Sequence, residues 1–370
     1  MSSKKPTPRP IEYSAYLKLE ELLSIQVPES GREGCTPAHD ELLFIITHQA
    51  YELWFKQILH ELDSAIGTFS GSKVEDRQLG TVIHRLERVN KIQELLLEQI
   101  DVIETMTPLD FLDFRDLLVP ASGFQSIQFK LIEIRLGLRF DDRTGQDRDF
   151  FMTRLTESQR QQLSAAEAAP TLLDVTNRWL ERMPFSKYGE FDFWRSYGQA
   201  VDQMLESELK IVASNQAISE DRRKQQVETQ QQTREKFNAI LDKSQFDELH
   251  KRGSLRLSHQ AFLAVLFIHL YRDEPMLYAP FRYLVGLMEI DEAMTRWRSR
   301  HAMMVHRMLG AKIGTGGSSG HDYLAANVSN NRVWTDLFNI STFLIPRSQL
   351  PALPPQLARD LGFHFSGRQS

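Results

Sequence analysis

Apolar side chains recur at helical spacing over long stretches of the chain. In residues 41–69 they return every three or four positions, which predicts a long helix with one apolar face. The residues of that face are Phe44, His48, Tyr51, Phe55, Leu59 and Leu62. The same spacing over residues 79–106 predicts a second long helix. Alternating apolar and polar runs joined by a hairpin dipeptide are almost absent, so the sequence predicts an all-α fold.

Short motifs that start or end helices divide the rest of the chain. Residues 107–110, "TPLD", predict a helix start with Thr107 as the N-cap, Pro108 at the first helical position and Asp110 completing a capping box. We expect that helix to end at "PASG", residues 120–123, and a further helix to follow. Apolar helices resume near residue 257 and continue to 309. The Pro-rich tail from about residue 345 is expected to be irregular.

One region has a different character from its neighbours. Residues 205–252 are highly polar and have little apolar face, which predicts a small helical excursion from the main bundle. Acidic residues interleave with the basic ones, and this favours a solvated surface over a nucleic-acid contact. We therefore expect one helical domain made of residues 13–204 and 253–370, with residues 1–12 as a disordered tail.

Composition narrows the possible classes of protein. The net charge of −5 and the pI near 6.2 argue against a nucleic-acid partner. Cys35 is the one cysteine, so a disulfide within the chain and a Cys-based zinc site are excluded. The longest apolar runs fall short of the roughly 20 residues that a membrane helix needs. No apolar stretch follows the basic N-terminus, so we expect a soluble, cytoplasmic protein without a secretory signal.

A glycine-rich stretch, "GTGGSSG", occupies residues 314–320. A phosphate-binding loop would need a lysine after the glycines and a strand before them, whereas the preceding residues have helical spacing. Two interpretations remain: a plain flexible linker, or a mobile lid that closes on a ligand.

The helix before this stretch carries a histidine in an apolar stripe. His301 shares its face with Ile290, Met294 and Trp297. A histidine in such a stripe is often a buried core residue, but a neutral imidazole among these side chains is also what a haem iron ligand requires. His306 is the alternative on a more mixed face, and spacing alone leaves the choice open.

Two other polar residues lie among apolar neighbours. His48 is either a buried histidine in an aromatic core or the polar group of a ligand pocket. Arg115 lies between Phe111 and Leu118 on one predicted helix face. It either forms an ion pair with an aspartate or binds a substrate carboxylate through its planar guanidinium.

Five segments together resemble the tryptophan 2,3-dioxygenase family. They are "YSAYLKLEELLSIQ" (13–26), "HDELLFIITHQAYELWFKQILHELD" (39–63), "ETMTPLDFLDFRDLLVPASGFQS" (104–126), "MTRWRSRHAMMVHRMLGAKIGTGGSSG" (294–320) and "DLFNISTFLIPR" (336–347). The resemblance covers nearly the whole chain, except the first ten residues and the polar segment 215–250. The related indoleamine dioxygenases share the fold and the haem but lack the long "THQAYELWFKQ" run.

The resemblance implies a large helical bundle that encloses a haem b and assembles as a homotetramer. The implied enzyme inserts both atoms of O2 into L-tryptophan and gives N-formyl-L-kynurenine, the first step of tryptophan breakdown through the kynurenine pathway. By position, the resemblance implies that His301 is the iron ligand, with Trp297 beside it. Ser122 and Gly123 correspond to a turn next to the haem. Thr315 corresponds to a contact with the substrate ammonium group, which favours the lid over the linker.

The resemblance also implies a substrate pocket. His48 corresponds to the catalytic-site residue that accepts a hydrogen bond from the indole N–H, and Arg115 to the residue that binds the carboxylate. The remaining residues implied to line the pocket are Phe44, Ile45, Ile46, Thr47, Phe111 and Leu118, with Tyr13 and Tyr16 entering from a neighbouring subunit. The family often has tyrosine at position 111, so phenylalanine removes a hydroxyl there. A haem sensor without enzymatic activity and a helical scaffold are the two rival functions.

Overall fold

The structure of the chain, a computed structural model, describes residues 7–71, 73–140, 151–184, 187–215, 219–310, 312 and 331–362. Thr315 and the glycine-rich stretch lie outside the described residues. The prediction of an all-α fold is confirmed. The helices are α1 (Tyr13–Leu17), α2 (Leu19–Ser24), α3 (Glu41–Phe69), α4 (Asp76–Ile103), α5 (Pro108–Arg115), α6 (Ile127–Leu136), α7 (Glu157–Ala168), α8 (Leu172–Leu180), α9 (Phe193–Ser214), α10 (Glu220–Leu241), α11 (Lys243–Lys251), α12 (His259–Leu270), α13 (Pro275–Leu309), α14 (Thr335–Asn339) and α15 (Pro355–Leu361).

Three long helices form the centre of the bundle. Helix α4 packs lengthwise against both α13 and α3, and the apolar face of each is turned inward. Leu62, Leu86 and Leu287, one from each of these helices, are almost fully buried. Burying a leucine side chain contributes about 1.5–3 kcal/mol, so the repeated apolar spacing supplies the main stabilisation of these helices. Both long helices that the spacing predicts at the start of the chain are therefore confirmed.

Helix α5 begins where the sequence predicts and ends earlier. The Thr107 side chain accepts a hydrogen bond from the Asp110 backbone N–H, and Asp110 bonds back to the Thr107 N–H. The predicted extension to residues 120–123 is wrong: the α-helix ends at Arg115, and residues 116–118 form a 3₁₀ turn. Such tightening is common at helix ends, and Pro120 disfavours helical geometry in the residue before it.

Two short elements were not predicted from the sequence. Strands β1 (Lys187–Tyr188) and β2 (Phe191–Asp192) form an antiparallel hairpin around Gly189, whose φ of 58° lies in the left-handed region. The tail from residue 345 is not wholly irregular, because α15 begins at a proline in the first helical position and buries Leu357 and Leu361.

The polar region is helical, as its pattern predicts. Helix α10 packs along α9, and its side chains are mostly exposed, with Phe237 and Ile240 as its buried residues. Helix α9 begins before the region and runs into it, and the proposed division into a domain and an excursion stays a prediction. Within the described ranges, no helix combines the length and hydropathy needed to cross a bilayer.

Candidate active site

Helices α3 and α5 build one wall of the candidate site from aromatic rings. We call Phe44, His48, Phe111, Phe114 and Arg115 the α3–α5 wall. The Phe44 ring lies at its centre, with its centroid 4.1 Å from that of His48 and 5.6 Å from those of Phe111 and Phe114. The rings of Phe111 and Phe114 meet edge to face at 5.4 Å. The stacked contact of Phe44 with Phe111 and the edge-to-face contacts of Phe114 with both rings are arrangements that aromatic quadrupoles favour, so the wall has a defined shape.

A backbone contact fixes the tautomer of His48. Its Nδ1 lies 2.7 Å from the carbonyl oxygen of Phe44, one turn earlier on α3. A carbonyl can only accept a hydrogen bond, so Nδ1 carries the proton and donates it. In the neutral ring Nε2 then presents a lone pair, and His48 is able to accept a hydrogen bond from a ligand N–H.

The surroundings of His48 keep it neutral. Desolvation by burial lowers the pKa of His48, while its bond to Phe44 and the carboxylate of Glu52 act in the opposite direction. The side chain nevertheless has an exposed surface. Close burial by protein atoms and an exposed surface are both expected of a ring that lines a recess, because protein atoms surround the ring while one edge stays open.

Arg115 is held at the edge of the same wall. Its side chain is only 16% exposed, and Nη1 lies 2.9 Å from Oδ1 of Asp116. The ion pair with an aspartate, one of the two alternatives from the sequence, is therefore formed. Asp116 is itself 83% exposed, and an ion pair with so exposed a partner is worth little. The pair does not prevent Arg115 from binding a ligand carboxylate.

The other expected pocket residues of this region differ in exposure. Thr47 is buried, Ile45 is half-buried and Ile46 is 49% exposed. Leu118 is half-buried at the end of the 3₁₀ turn. Ser122 caps the short 3₁₀ helix that begins at Gly123.

The opposite wall is formed by α13. We call His301 and Trp297 the α13 wall. Their rings are stacked, with centroids 5.0 Å apart and planes only 5° from parallel. Phe129 of α6 and Tyr51 of α3 pack on the other sides of Trp297, with ring centroids 5.1 and 6.0 Å away. The indole N–H of Trp297 is buried beside the Tyr51 hydroxyl without reaching hydrogen-bond geometry.

The surroundings of His301 keep its imidazole neutral. Desolvation by burial, with a smaller contribution from His48, lowers the pKa of His301 to about 4. His48 and His301 are therefore near enough to interact electrostatically. Among the described residues, no hydrogen-bond partner engages a ring nitrogen of His301. His306 is exposed, five residues further along α13.

Buried ionic contacts anchor the helix that carries His301. Arg298, one turn earlier, donates from Nη2 to Glu133 of α6 at 2.7 Å and from Nη1 to the carbonyl of Asn331 at 2.8 Å. Asp291, on the same face of α13, accepts the backbone N–H groups of Val333 and Trp334 at 3.1 and 3.0 Å. The chain that re-enters the described structure at residue 331 is thus fixed to the helix face that presents His301.

The remaining expected residues are exposed or lie outside the described residues. Tyr13 and Tyr16 are 74% and 69% exposed, and Thr315 is outside the described residues. Sequence reasoning also missed three contributors. Phe114 is three positions from Phe111, and Glu52 is four positions after His48, so helical spacing alone could have indicated both. Phe129 has no such signal, because it comes from a helix distant in sequence.

Comparison with known proteins gives a consistent result. A family model described as tryptophan 2,3-dioxygenase matches residues 4–344. Two bacterial proteins named tryptophan 2,3-dioxygenase, from Alteromonas mediterranea and Bdellovibrio bacteriovorus, are each 49% identical over 356 residues. These alignments cover 96% of this chain and 98% and 99% of the two relatives. A protein of that name from Dictyostelium discoideum is 46% identical, over 96% of this chain and 89% of its own.

Proposed function

The chain belongs to the tryptophan 2,3-dioxygenase family, and from that premise we propose that it converts L-tryptophan and O2 to N-formyl-L-kynurenine, the first step of the kynurenine pathway. The observation that supports this proposal is a pair of histidines among aromatic rings: His48, whose Nδ1 is engaged by the Phe44 carbonyl, and His301, whose ring stacks on Trp297. One histidine is suited to a metal and the other to a substrate hydrogen bond.

The residues of the α13 wall fit a haem b group. A pKa near 4 keeps the His301 imidazole neutral at physiological pH, and a ring nitrogen is available, as an axial iron ligand requires. Trp297, parallel to the imidazole, would hold its ring plane. Ser122 and Gly123 would lie beside the macrocycle. When bound, the ferrous haem supplies the activation of O2.

The α3–α5 wall would bind and orient the amino acid. The free Nε2 of His48 would accept the indole N–H, while the Phe44 and Phe111 rings would enclose the indole. Arg115 would bind the carboxylate through two parallel N–H···O bonds. Ile45, Ile46, Thr47 and Leu118 would complete the lining, and Thr315 would contact the ammonium group from a closing loop.

His48 has an orienting role in this proposal. An indole N–H is a very weak acid, and His48 is a weak base because its pKa is lowered, so the two are poorly matched for proton transfer. The hydrogen bond instead fixes which edge of the indole faces the iron. Water is excluded by the aromatic rings that form the wall.

The N-terminal segment supports an assembly of several chains. None of the residues of α1 or α2 is buried, although they include Tyr13, Tyr16 and Leu23 with at least 69% of each side chain exposed. Apolar helices of this kind gain stability by packing on another chain. We therefore include in the proposal a homotetramer in which Tyr13 and Tyr16 enter a neighbouring active site. The proposed compartment is the cytoplasm, consistent with the single cysteine.

An optical experiment tests the proposed function. The purified protein is expected to show the Soret band of a bound haem. Addition of L-tryptophan and a reductant in air is expected to produce the near-ultraviolet absorbance of an aryl ketone product. A Soret band without product would favour a haem sensor, and a protein that takes up no haem would favour a scaffold. Light scattering on the same sample measures the assembly, and a monomer with full activity would contradict the shared site.

A further inference from the structure

A carboxylate outside the expected pocket residues connects the two walls. Glu52 lies one turn after His48 on α3 and is half-buried. Its Oε1 accepts the Ser126 hydroxyl at 2.6 Å, and its Oε2 accepts the side-chain amide of Gln128 at 2.7 Å. The same Gln128 amide also donates to the Glu52 backbone carbonyl at 2.8 Å. Both hydrogens of that amide are therefore directed at one residue of α3.

The Ser126 hydroxyl has a second role in this contact. It is the N-cap of α6 and accepts the Phe129 backbone N–H at 3.3 Å. Because its proton goes to Glu52, its lone pairs remain directed at the helix end. The first turn of α6 is thus held to α3 through both Ser126 and Gln128.

The charge of Glu52 is matched by a helix rather than by a cation. Within the described ranges, no lysine, arginine or histidine lies within ion-pair distance of Glu52. Its hydrogen-bond donors are neutral and lie at the N-terminus of α6, where the helix dipole favours a negative charge. The carboxylate also acts electrostatically on His48, one turn away.

The other end of this contact reaches the α13 wall. Helix α6 presents Phe129 to Trp297 at a centroid distance of 5.1 Å, and Trp297 stacks on His301. A displacement of the start of α6 would therefore move the ring that supports His301. A displacement of Glu52 would also change the field at His48.

We propose that Glu52 is a positioning residue that sets His48 and His301 relative to each other, through the cap of α6 and the Phe129–Trp297 contact. This inference rests on the proposed function, because the two histidines act on one substrate only if a haem lies between them. Glu52 itself touches neither substrate nor iron. Its expected influence is on how tightly tryptophan is held and on how the His301 ring meets the iron.

Two substitutions separate the charge from the geometry. Glu52→Gln keeps the length and one acceptor oxygen but removes the charge, and Glu52→Ala removes both. The matched controls are Glu61→Gln and Glu61→Ala. Glu61 is a buried carboxylate further along the same helix, held by Arg88 at 2.6 Å and by Gln57 at 2.7 Å, and it is not connected to the start of α6 by any described contact. Thermal unfolding of all four variants gives the purely structural cost.

The decisive measurement is a double-mutant cycle on the haem-loaded protein. In the protein that retains His48, Glu52→Ala is expected to raise the tryptophan Kd about tenfold, and Glu52→Gln about threefold. In the His48→Ala background the same changes are expected to alter Kd less than twofold. The iron–histidine vibrational band of the ferrous protein is expected to shift in the Glu52 variants and to stay unchanged in the Glu61 variants.

The outcomes distinguish this inference from the proposed function. If the wild-type protein binds no haem or forms no product, the proposed function itself fails. If the wild-type protein is active but Glu52 and Glu61 variants have equal effects in both backgrounds, only the positioning role is overturned. If Glu52→Ala does not fold, Glu52→Gln decides: an unchanged tryptophan Kd together with an unchanged vibrational band overturns the proposal.

Discussion

The two walls of the recess are stabilised in different ways. The α13 wall is anchored by buried ionic contacts, with Arg298 joined to Glu133 and to the carbonyl of Asn331. In the α3–α5 wall, aromatic contacts are the main observed packing. Its rings pack on one another, His48 keeps an open edge, and the ion pair of Arg115 with Asp116 lies at the surface.

This difference follows from what each wall has to do in the proposed reaction. An iron ligand must keep one position through every turnover, so a rigid, buried anchor is suited to His301. A substrate wall must admit and release an amino acid, so contacts that exchange easily with solvent are suited to Arg115. The following predictions test this contrast, from the largest expected effect to the smallest.

Removal of the His301 imidazole should abolish the function of the α13 wall. We expect His301→Ala to lose the Soret band and all measurable turnover, because the proposal assigns His301 to the iron and His48 to the substrate. His306→Ala should keep both, since His306 is exposed on the same helix. Haem content per chain, measured after purification, checks the prediction. Loss of haem in His306→Ala alone would reverse the assignment.

The buried anchor of the α13 wall should be costly to break. Arg298→Met leaves the carboxylate of Glu133, whose side chain is 2% exposed, without the guanidinium. We expect a loss of about 3 kcal/mol in the free energy of unfolding, the lower end for breaking a buried pair, because Lys130 still lies 3.1 Å from Glu133. Denaturant unfolding measures the loss. The control Arg296→Met, with a 56% exposed side chain, should change stability by less than about 1 kcal/mol.

In the α3–α5 wall, a substitution of Arg115 should change the preference for L-tryptophan over indole more than it changes the stability of the protein. Arg115→Ala is expected to reduce kcat/KM for L-tryptophan by at least about ten- to a hundredfold, the value of one of the two charged hydrogen bonds to the carboxylate. Indole, which has no carboxylate, should be affected far less in its binding. Titration of both compounds against the Soret band provides the comparison. An equal loss for the two would show that Arg115 does not bind the carboxylate.

The orienting role of His48 predicts a smaller effect. We expect His48→Ala to retain haem and measurable turnover, with kcat/KM for L-tryptophan reduced about tenfold, because a hydrogen bond of about 1–1.5 kcal/mol is removed without removing a base. Steady-state kinetics at saturating O2 measure this. Complete inactivity in a variant that still carries haem would mean that His48 transfers a proton.

The pH dependence of tryptophan binding gives the smallest expected effect. Because burial lowers the pKa of His48, the ring stays neutral as the pH falls through 6.5, its ordinary value, and protonates only at lower pH. The tryptophan Kd should therefore be constant from pH 8 to 6.5 and rise only on further acidification. His48→Ala should lack that rise. A rise centred at or above pH 6.5 in the wild-type protein would contradict a lowered pKa.

The contrast between the walls also explains what the sequence could predict. The apolar spacing was enough to predict the long helices, and the "TPLD" motif was enough to predict the start of α5, because both features depend on local sequence preferences. Phe44 and His48 lie one turn apart on α3, and Phe111 and Phe114 lie one turn apart on α5, so helical spacing indicates each pair but not that α3 meets α5. The predicted end of α5 was wrong, because the change from an α-helix to a 3₁₀ turn depends on tertiary contacts as well as on Pro120.

The contacts that anchor the α13 wall could not be predicted from the sequence, because they join distant parts of the chain. Nothing in the local pattern indicates that Arg298 meets Glu133, or that Phe129 meets Trp297. Residue spacing could not choose between His301 and His306. The structure separates them by burial, and the family resemblance, through the distance to Thr315, identifies His301 as the expected ligand. Glu52 shows the same limit, since its partners Ser126 and Gln128 lie more than seventy residues away.

The hydrogen bond that fixes the tautomer of His48 has a consequence for which residues of the pocket can vary in evolution. Its acceptor is the backbone carbonyl of residue 44, which every amino acid carries. Replacement of the Phe44 ring would therefore change the shape of the indole enclosure but leave the tautomer of His48 in place. A substitution at residue 44, natural or designed, can therefore change the size of the aromatic substrate that fits. The ability of His48 to accept a hydrogen bond from an N–H group stays the same.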